Sequence, residues 1–101
     1  MTAGDAIAPE EFVAAEGTDG WRVPGLAEAV FRTGSFDVGA RLVARIAELA
    51  DAAGHHPDVD LRYGSVTVRL TSHDVGGLSR RDVALAREIG AAARALGAEP
   101  S

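Results

Sequence analysis

The sequence predicts an α+β domain in which a four-stranded antiparallel sheet carries helices on one face, in the order α-β-β-α-β-β-α. Two long segments repeat their apolar residues every three or four positions, which is typical of amphipathic helices. Shorter segments between them alternate apolar and polar residues around turns that contain glycine, which is typical of hairpins. The length of 101 residues fits one domain, which we assign to residues 9–101.

The first third of the chain predicts a tail, a short helix and a hairpin. Residues 1–8 show no pattern and are expected to form a flexible tail. Residues 9–17 predict a helix, because a proline and two acids open the segment and a glycine ends it. Residues 20–34 predict two short strands joined by a Pro-Gly turn.

Two longer helices follow from capping signals and periodicity. Residues 35–54 run from a capping serine to a terminal glycine. Residues 78–97 begin with Ser79 and Asp82, which stand three apart as a capping box. One face of this second helix carries small residues that favour close contact with another helix or another subunit: Val83, Ala86, Gly90, Ala93 and Gly97.

A hairpin over residues 59–70 brings distant positions together. Gly64-Ser65 suits a two-residue turn, and such a turn fixes the register of the strands. In that register Asp60 faces Arg69, and at the end of the ladder His56 faces His73. Directly opposed residues have Cβ atoms about 5 Å apart, so two of the three histidines are predicted to meet.

Composition excludes several classes of protein. A net charge of −5, with the arginines spread along the chain, argues against a general nucleic-acid binder. The absence of cysteine excludes disulfides, thiolate metal sites and cysteine nucleophiles. No stretch approaches the ~20 apolar residues of a membrane helix, and the N-terminus lacks the basic segment of a secretory signal. A cytoplasmic location is therefore expected.

The histidines His55, His56 and His73 are the main candidates for a site. Three imidazoles can bind zinc and leave an open position, although adjacent histidines rarely serve one ion from an extended backbone. Histidine also suits acid/base chemistry, because its ordinary pKa is ~6.5. A binding surface and a purely structural role are the other interpretations. Asp51 either pairs with a histidine or is solvated, and Asp82 either caps its helix or borders a cleft.

The run from Asp51 to Asp82 resembles the pterin-4a-carbinolamine dehydratases. The family's pattern begins with an acid, and His-His-Pro follows after three intervening residues. An aromatic residue comes six positions after the proline, a histidine ten positions after the aromatic residue, and an aspartate nine positions after that histidine. These positions are filled here by Asp51, His55, His56, Pro57, Tyr63, His73 and Asp82. The segments 20–21, 31–42 and 76–89 also look like the family's, so the resemblance covers roughly residues 10–95. The acid at position 51 is often glutamate in the family.

The resemblance implies an α+β fold and a hydro-lyase. Such an enzyme dehydrates 4a-hydroxytetrahydropterin to quinonoid dihydropterin plus water and so recycles the tetrahydropterin, without a metal or other cofactor. By resemblance His55, His56 and His73 form the acid/base set. The remaining implied site residues orient a histidine, contact the pterin or stiffen the strand entry: Asp82, Asp51, Trp21 and Pro57. For Trp21, a place in the core is the alternative to stacking on the pterin.

The resemblance also implies partners. A pterin substrate, a homodimer or homotetramer and a functional link to an aromatic amino acid hydroxylase are expected, with no direct nucleic-acid or membrane contact. The alternative is a non-catalytic binding module of the same fold, either a dimerisation cofactor or an assembly factor. Assembly relatives tend to lose the site histidines, whereas this chain keeps the full set.

Overall fold

The computed structural model of the protein describes residues 5–101 and has the predicted α+β architecture. A four-stranded antiparallel sheet has the strand order β3-β4-β2-β6, and a two-stranded pair joins β1 to β5. The elements are β1 (Ala6–Ile7), α1 (Pro9–Ala14), β2 (Ala27–Arg32), α2 (Phe36–Ala53), β3 (Asp58–Arg62), β4 (Ser65–Leu70), β5 (Leu78–Ser79), α3 (Arg80–Ala95) and β6 (Glu99–Pro100).

The core lies between the sheet and the helices. Alternate residues of β2 and β4 face inward and are buried, as the period of two in a strand requires. They pack in one cluster with the apolar stripes of α2 and α3. The members of this cluster on the four elements are Ala27, Ala29, Phe31, Val66, Val68, Leu70, Leu42, Ile46, Leu49, Leu85, Ala86, Ile89 and Ala93.

Both long helices begin at the predicted capping serines, and α2 ends at the predicted glycine. The Ser35 side chain accepts the N–H of Val38, and Gly54 ends α2 in the left-handed conformation with φ 62°. Ser79 caps α3 with Asp82 in a capping box. Ala86, Gly90 and Ala93 of the small-residue face are buried inside the chain, and Gly90 lies close to the carbonyl of Gly17. Gly97 follows the end of α3 and is exposed. The middle of this face therefore packs within the chain.

The predicted hairpin register is wrong by two residues. Val68 faces Val59 rather than Leu61, because the turn consists of Tyr63 and Gly64 and Ser65 already belongs to β4. Gly64 does not adopt the positive φ that the predicted turn needs. Its carbonyl instead accepts the N–H of Thr33 at 2.9 Å. That bond, with Ser65 paired to both β2 and β3, fixes the observed register.

Two other expectations are corrected at the edges of the sheets. Residues 20–23 form a single bridge, between Arg22 and Glu28, and the fourth strand of the sheet is β6. The tail expected over residues 1–8 lies partly outside the described residues, but β1 pairs with β5 within its second half. Both added strands have only two residues, which is too short for a periodic signal.

Candidate active site

A cavity of about 280 Å³ opens where the end of α2, the start of β3 and the end of β4 meet. Its wall contains all three histidines. His55 and His56 come directly after Gly54, whose left-handed conformation ends α2 and redirects the chain toward β3. His73 begins a 3-10 turn, His73–Val75, directly after Ser72. The predicted pairing of His56 with His73 across the ladder is absent, yet both side chains reach the same cavity.

His55 is held by a buried carboxylate. Its Nε2 lies 2.6 Å from Oδ1 of Asp82, and the two side chains are 11% and 0% exposed. The other carboxylate oxygen, Oδ2, accepts the hydroxyl of Ser72 at 2.8 Å and the backbone N–H of Ser79 at 2.9 Å. Since a buried polar group costs free energy unless it is hydrogen-bonded, this full set of partners accounts for the position of Asp82 inside the protein.

His56 and His73 are much less constrained. His56 Nε2 lies 3.0 Å from Oδ1 of Asp51, but these side chains are 63% and 79% exposed. An exposed pair of this kind contributes about 0–1 kcal/mol to stability. Asp51 does not line the cavity and reaches it only through His56. His73 is exposed, and no side chain among residues 5–101 hydrogen-bonds its ring. The three imidazoles therefore differ in how firmly neighbouring side chains hold them.

Two arginines in the wall are neutralised by carboxylates. Arg81 Nη2 donates to both oxygens of Asp74, at 2.8 and 3.0 Å, and this contact holds the pKa of Asp74 below its ordinary value. Arg69 donates to Asp60 and Glu28, each at 3.0 Å. The pKa of Glu28 is lowered by Arg22 first and by Arg69 second, while desolvation acts in the opposite direction.

Three other residues singled out by the family resemblance lie away from the cavity. Trp21 is only 5% exposed and packs edge-on against Phe12 and Phe31, with ring centroids 6.0 and 6.2 Å away. This is the core alternative for that residue. Pro57 stands at the entry of β3 outside the cavity wall. Tyr63 is 76% exposed at the hairpin tip.

Ser72 is the residue of the site that the sequence did not reveal. It is 1% exposed and contacts Asp82 and Ser79 through its hydroxyl. A signal existed, because Val66, Val68, Leu70 and Ser72 alternate along one side of β4 and its continuation. A polar residue that follows such a buried series must find a hydrogen-bond partner.

The described residues contain neither a metal cluster nor a membrane helix. Across residues 5–101, no three histidine, aspartate or glutamate side chains are grouped so as to hold a metal ion. In the same part of the chain, no helix has the length and apolar character needed to cross a bilayer.

A sequence comparison identifies the family of this arrangement. The family model described as pterin 4 alpha carbinolamine dehydratase matches residues 6–92. The chain belongs to this family. This family assignment agrees with the resemblance of the run from Asp51 to Asp82.

Individual members of the pterin carbinolamine dehydratase family are similar to the chain over different lengths. A Koribacter versatilis protein named "Putative pterin-4-alpha-carbinolamine dehydratase" is 40% identical over 82 residues, which cover 80% of this chain and 87% of that protein. A relative of the same name from Chloroflexus aggregans is 51% identical over 59 residues, 58% of this chain. The match spans 63% of the Chloroflexus protein's length.

A solved structure of a family member has the same fold. The crystal structure of a transcriptional coactivator/pterin dehydratase from Brucella melitensis superposes with a TM-score of 0.70 at 31% sequence identity. The superposition covers 74% of this chain and 83% of that one.

Proposed function

We propose that the protein dehydrates 4a-hydroxytetrahydropterin to quinonoid dihydropterin and thereby recycles a tetrahydropterin. The observation that carries this proposal is the convergence of all three histidines on one cavity in a member of this family. The reaction needs a proton donor at the 4a-hydroxyl and a proton acceptor at N5. Histidine suits both steps, because its ordinary pKa lies near neutrality.

The proposed reaction moves two protons and no net electrons. An imidazolium protonates the 4a-hydroxyl, the C4a–O bond breaks with its electron pair on oxygen, and water leaves. The N5 lone pair forms the C4a=N5 double bond, and a neutral imidazole removes the N5 proton. Proton transfer of this kind contributes typically 10²–10⁴-fold to the rate.

The different surroundings of the histidines support a division of roles. His55 is ordered by Asp82, and an ordered ring is suited to take the N5 proton along a fixed direction. His56 and His73 stand at the exposed side of the cavity, where a leaving water can escape to solvent. We therefore assign the base to His55 and protonation of the hydroxyl to His56 and His73.

The test is an assay with 4a-hydroxytetrahydropterin generated in situ, in which formation of quinonoid product is followed by absorbance against the spontaneous rate. The wild-type protein should accelerate the reaction. His55→Ala and His73→Ala should each lower kcat by about 10²-fold. Tyr63→Ala is the matched control, since this exposed side chain lies at the far end of the hairpin, and it should retain full activity. A wild-type protein with no acceleration would refute the enzymatic proposal.

A second candidate function is a binding role, which the name of the Brucella structure favours because it joins coactivator to dehydratase. An intact site is compatible with both roles. Affinity capture with the wild type and with His55→Ala separates them. A partner retained by both proteins would support a binding role independent of catalysis, and a partner lost with the site would support a link through the pterin.

The proposal also covers the oligomeric state and the cellular location of the protein. We propose a homodimer or homotetramer that acts beside an aromatic amino acid hydroxylase in the cytoplasm. Light scattering coupled to size-exclusion chromatography measures the assembly state, and a monomer at micromolar concentration would contradict this part.

A further inference from the structure

The hydroxyl groups of Ser72 and Ser79 form an ordered chain that ends at Asp82. Ser72 Oγ lies 2.8 Å from Asp82 Oδ2 and 2.8 Å from Ser79 Oγ. A serine hydroxyl has one proton to donate. Because a carboxylate only accepts, the proton of Ser72 is committed to Asp82, and the proton of Ser79 must then be donated to Ser72. The direction of both bonds follows from this count.

The hydrogen-bonding capacity of Ser79 is fully used. Its Oγ accepts the backbone N–H of Arg81 at 3.2 Å and, as part of the capping box, that of Asp82. Its own N–H donates to Asp82 Oδ2 at 2.9 Å. Ser79 therefore fixes the helix terminus, whereas Ser72, which belongs to the continuation of β4, ties the carboxylate to the sheet.

The remaining carboxylate oxygen determines the tautomer of His55. Since Oδ2 already accepts two bonds, Oδ1 faces Nε2 of His55 at 2.6 Å as an acceptor. Nε2 then carries the hydrogen and Nδ1 carries the lone pair. No other hydrogen bond to this ring occurs within residues 5–101, so Nδ1 is the nitrogen left to exchange a proton in the cavity.

We propose that Ser72 is a positioning residue: through Asp82 it holds His55 as the Nε2–H tautomer, with Nδ1 as the proton acceptor for a molecule in the cavity. The catalytic part of this inference rests on the proposed dehydratase function, but the tautomer itself does not. Ser72 borders the cavity, but it is only 1% exposed and its hydroxyl proton is committed to Asp82, so it acts on His55 through the carboxylate.

The test combines nitrogen-15 NMR of the histidine rings with steady-state kinetics. In the neutral ring, recorded at alkaline pH, wild-type His55 should show a protonated Nε2 and a bare Nδ1. His56 and His73 serve as internal references in the same spectrum. A dominant Nδ1–H form of His55 in the wild type would overturn the proposal without any variant.

Substitutions separate positioning from stability. Ser72→Ala removes one of the two bonds that hold Oδ2, so the carboxylate can turn away from Nε2 in part of the molecules. His55 should then show a mixture of tautomers, and kcat should fall about 10-fold with little change in KM, because a hydrogen bond to a charged group is lost. Ser72→Thr keeps the hydroxyl and should restore the Nε2–H form. Ser79→Ala should weaken the cap of α3 yet leave the tautomer unchanged, since the Ser72–Asp82 bond remains. Ser65→Ala, at the other end of β4, is the neutral control.

The outcomes distinguish this proposal from the dehydratase proposal. A wild-type protein without dehydratase activity but with the expected tautomers would refute only the proposed function. Unchanged tautomers in Ser72→Ala, together with reduced stability, would show that Ser72 is purely structural.

Discussion

Asp82 joins the start of α3 to the histidine cluster. The same carboxylate stabilises the fold and orients a histidine of the proposed active site. Its carboxylate is fully buried and accepts bonds from Ser72, Ser79 and His55. A buried charge is tolerated only when such partners are present. Capping alone therefore explains an acid at this position of α3 but not the direction of Oδ1, which faces His55.

Asp82→Asn should preserve the fold and change the chemistry. The amide oxygen can replace Oδ2 and keep the bonds from Ser72 and Ser79, which leaves the amide NH₂ facing His55 Nε2. Nε2 of His55 must then accept a hydrogen bond from the amide, so the ring proton moves to Nδ1 and the proposed base is lost. We expect kcat to fall by 10²–10⁴-fold, with the tautomer of His55 reversed in nitrogen-15 spectra.

Asp19→Asn is the matched control for this change, since the side chain is exposed in the turn before Trp21. It should leave both kcat and the histidine spectra unchanged. Full activity of Asp82→Asn would remove His55 Nδ1 from the proposed mechanism.

Gly54 lies at the junction between the end of α2 and the segment that carries His55 and His56. Gly54 has φ 62°, and a Cβ built on it meets nothing within 4 Å. Substitution by alanine therefore costs only backbone strain, which is about 1 kcal/mol or slightly more in the left-handed region. The N–H of His55 also donates to Ala50 at 3.2 Å, so this turn fixes where the histidine backbone leaves the helix.

Gly54→Ala should lower the free energy of unfolding by about 1 kcal/mol in urea titrations. The control is Gly25→Ala, where the space is equally open and φ is not in the left-handed region; that variant should stay within about 0.5 kcal/mol of the wild type. Equal losses in the two variants would show that the conformation of Gly54 is not the cause.

Local signals predicted the elements better than they predicted the pairing. The limits of α2 are set by a capping serine and a left-handed glycine, and both effects act within one turn of helix. The register of β3 and β4 differed by two residues, and a shift of two leaves every side chain on the same face of the sheet. The alternation of apolar and polar residues therefore cannot distinguish the two registers.

In the candidate site, too, the residues were predicted better than the contacts between them. The residue types and spacing predicted the histidines and Asp82, and the cavity does bring the histidines together. The partner of Asp82 could not be read from spacing, because the bond from Ser72 joins a strand end to a helix start ten residues away. Strands β1 and β6 were missed for a related reason, since their pairing with distant segments outweighs any local preference.

Charge links three segments of the whole molecule around Arg81. Its Nη2 binds both oxygens of Asp74 in the turn after β4, and its Nε donates to Asp5, ahead of β1, at 3.1 Å. The pKa of Arg81 is raised, first by Asp74. Because these groups lie at the surface, their attraction weakens as salt concentration increases.

Lowering the pH should therefore weaken the contact between Arg81 and Asp74 over a defined pH range. Arg81 lowers the pKa of Asp74 below its ordinary value of 3.8, so the ionised form stabilises the folded state. A lowered pKa gives stability that is fully present above about 3.8 and is lost as the pH falls through the folded-state pKa. Asp74→Asn removes this contribution, and its free energy of unfolding should fall less steeply than that of the wild type below about pH 4.

Urea unfolding of the wild type and Asp74→Asn between about pH 7 and pH 3 measures this difference, with a second series in about 1 M NaCl. At low salt the wild type should be the more stable protein near neutral pH, and the two curves should converge in acid. Salt should narrow the gap at neutral pH, because exposed charges are screened beyond about 3 Å at that ionic strength. Parallel curves at every pH would mean that the Arg81–Asp74 contact does not tie the turn beside His73 to α3 in solution.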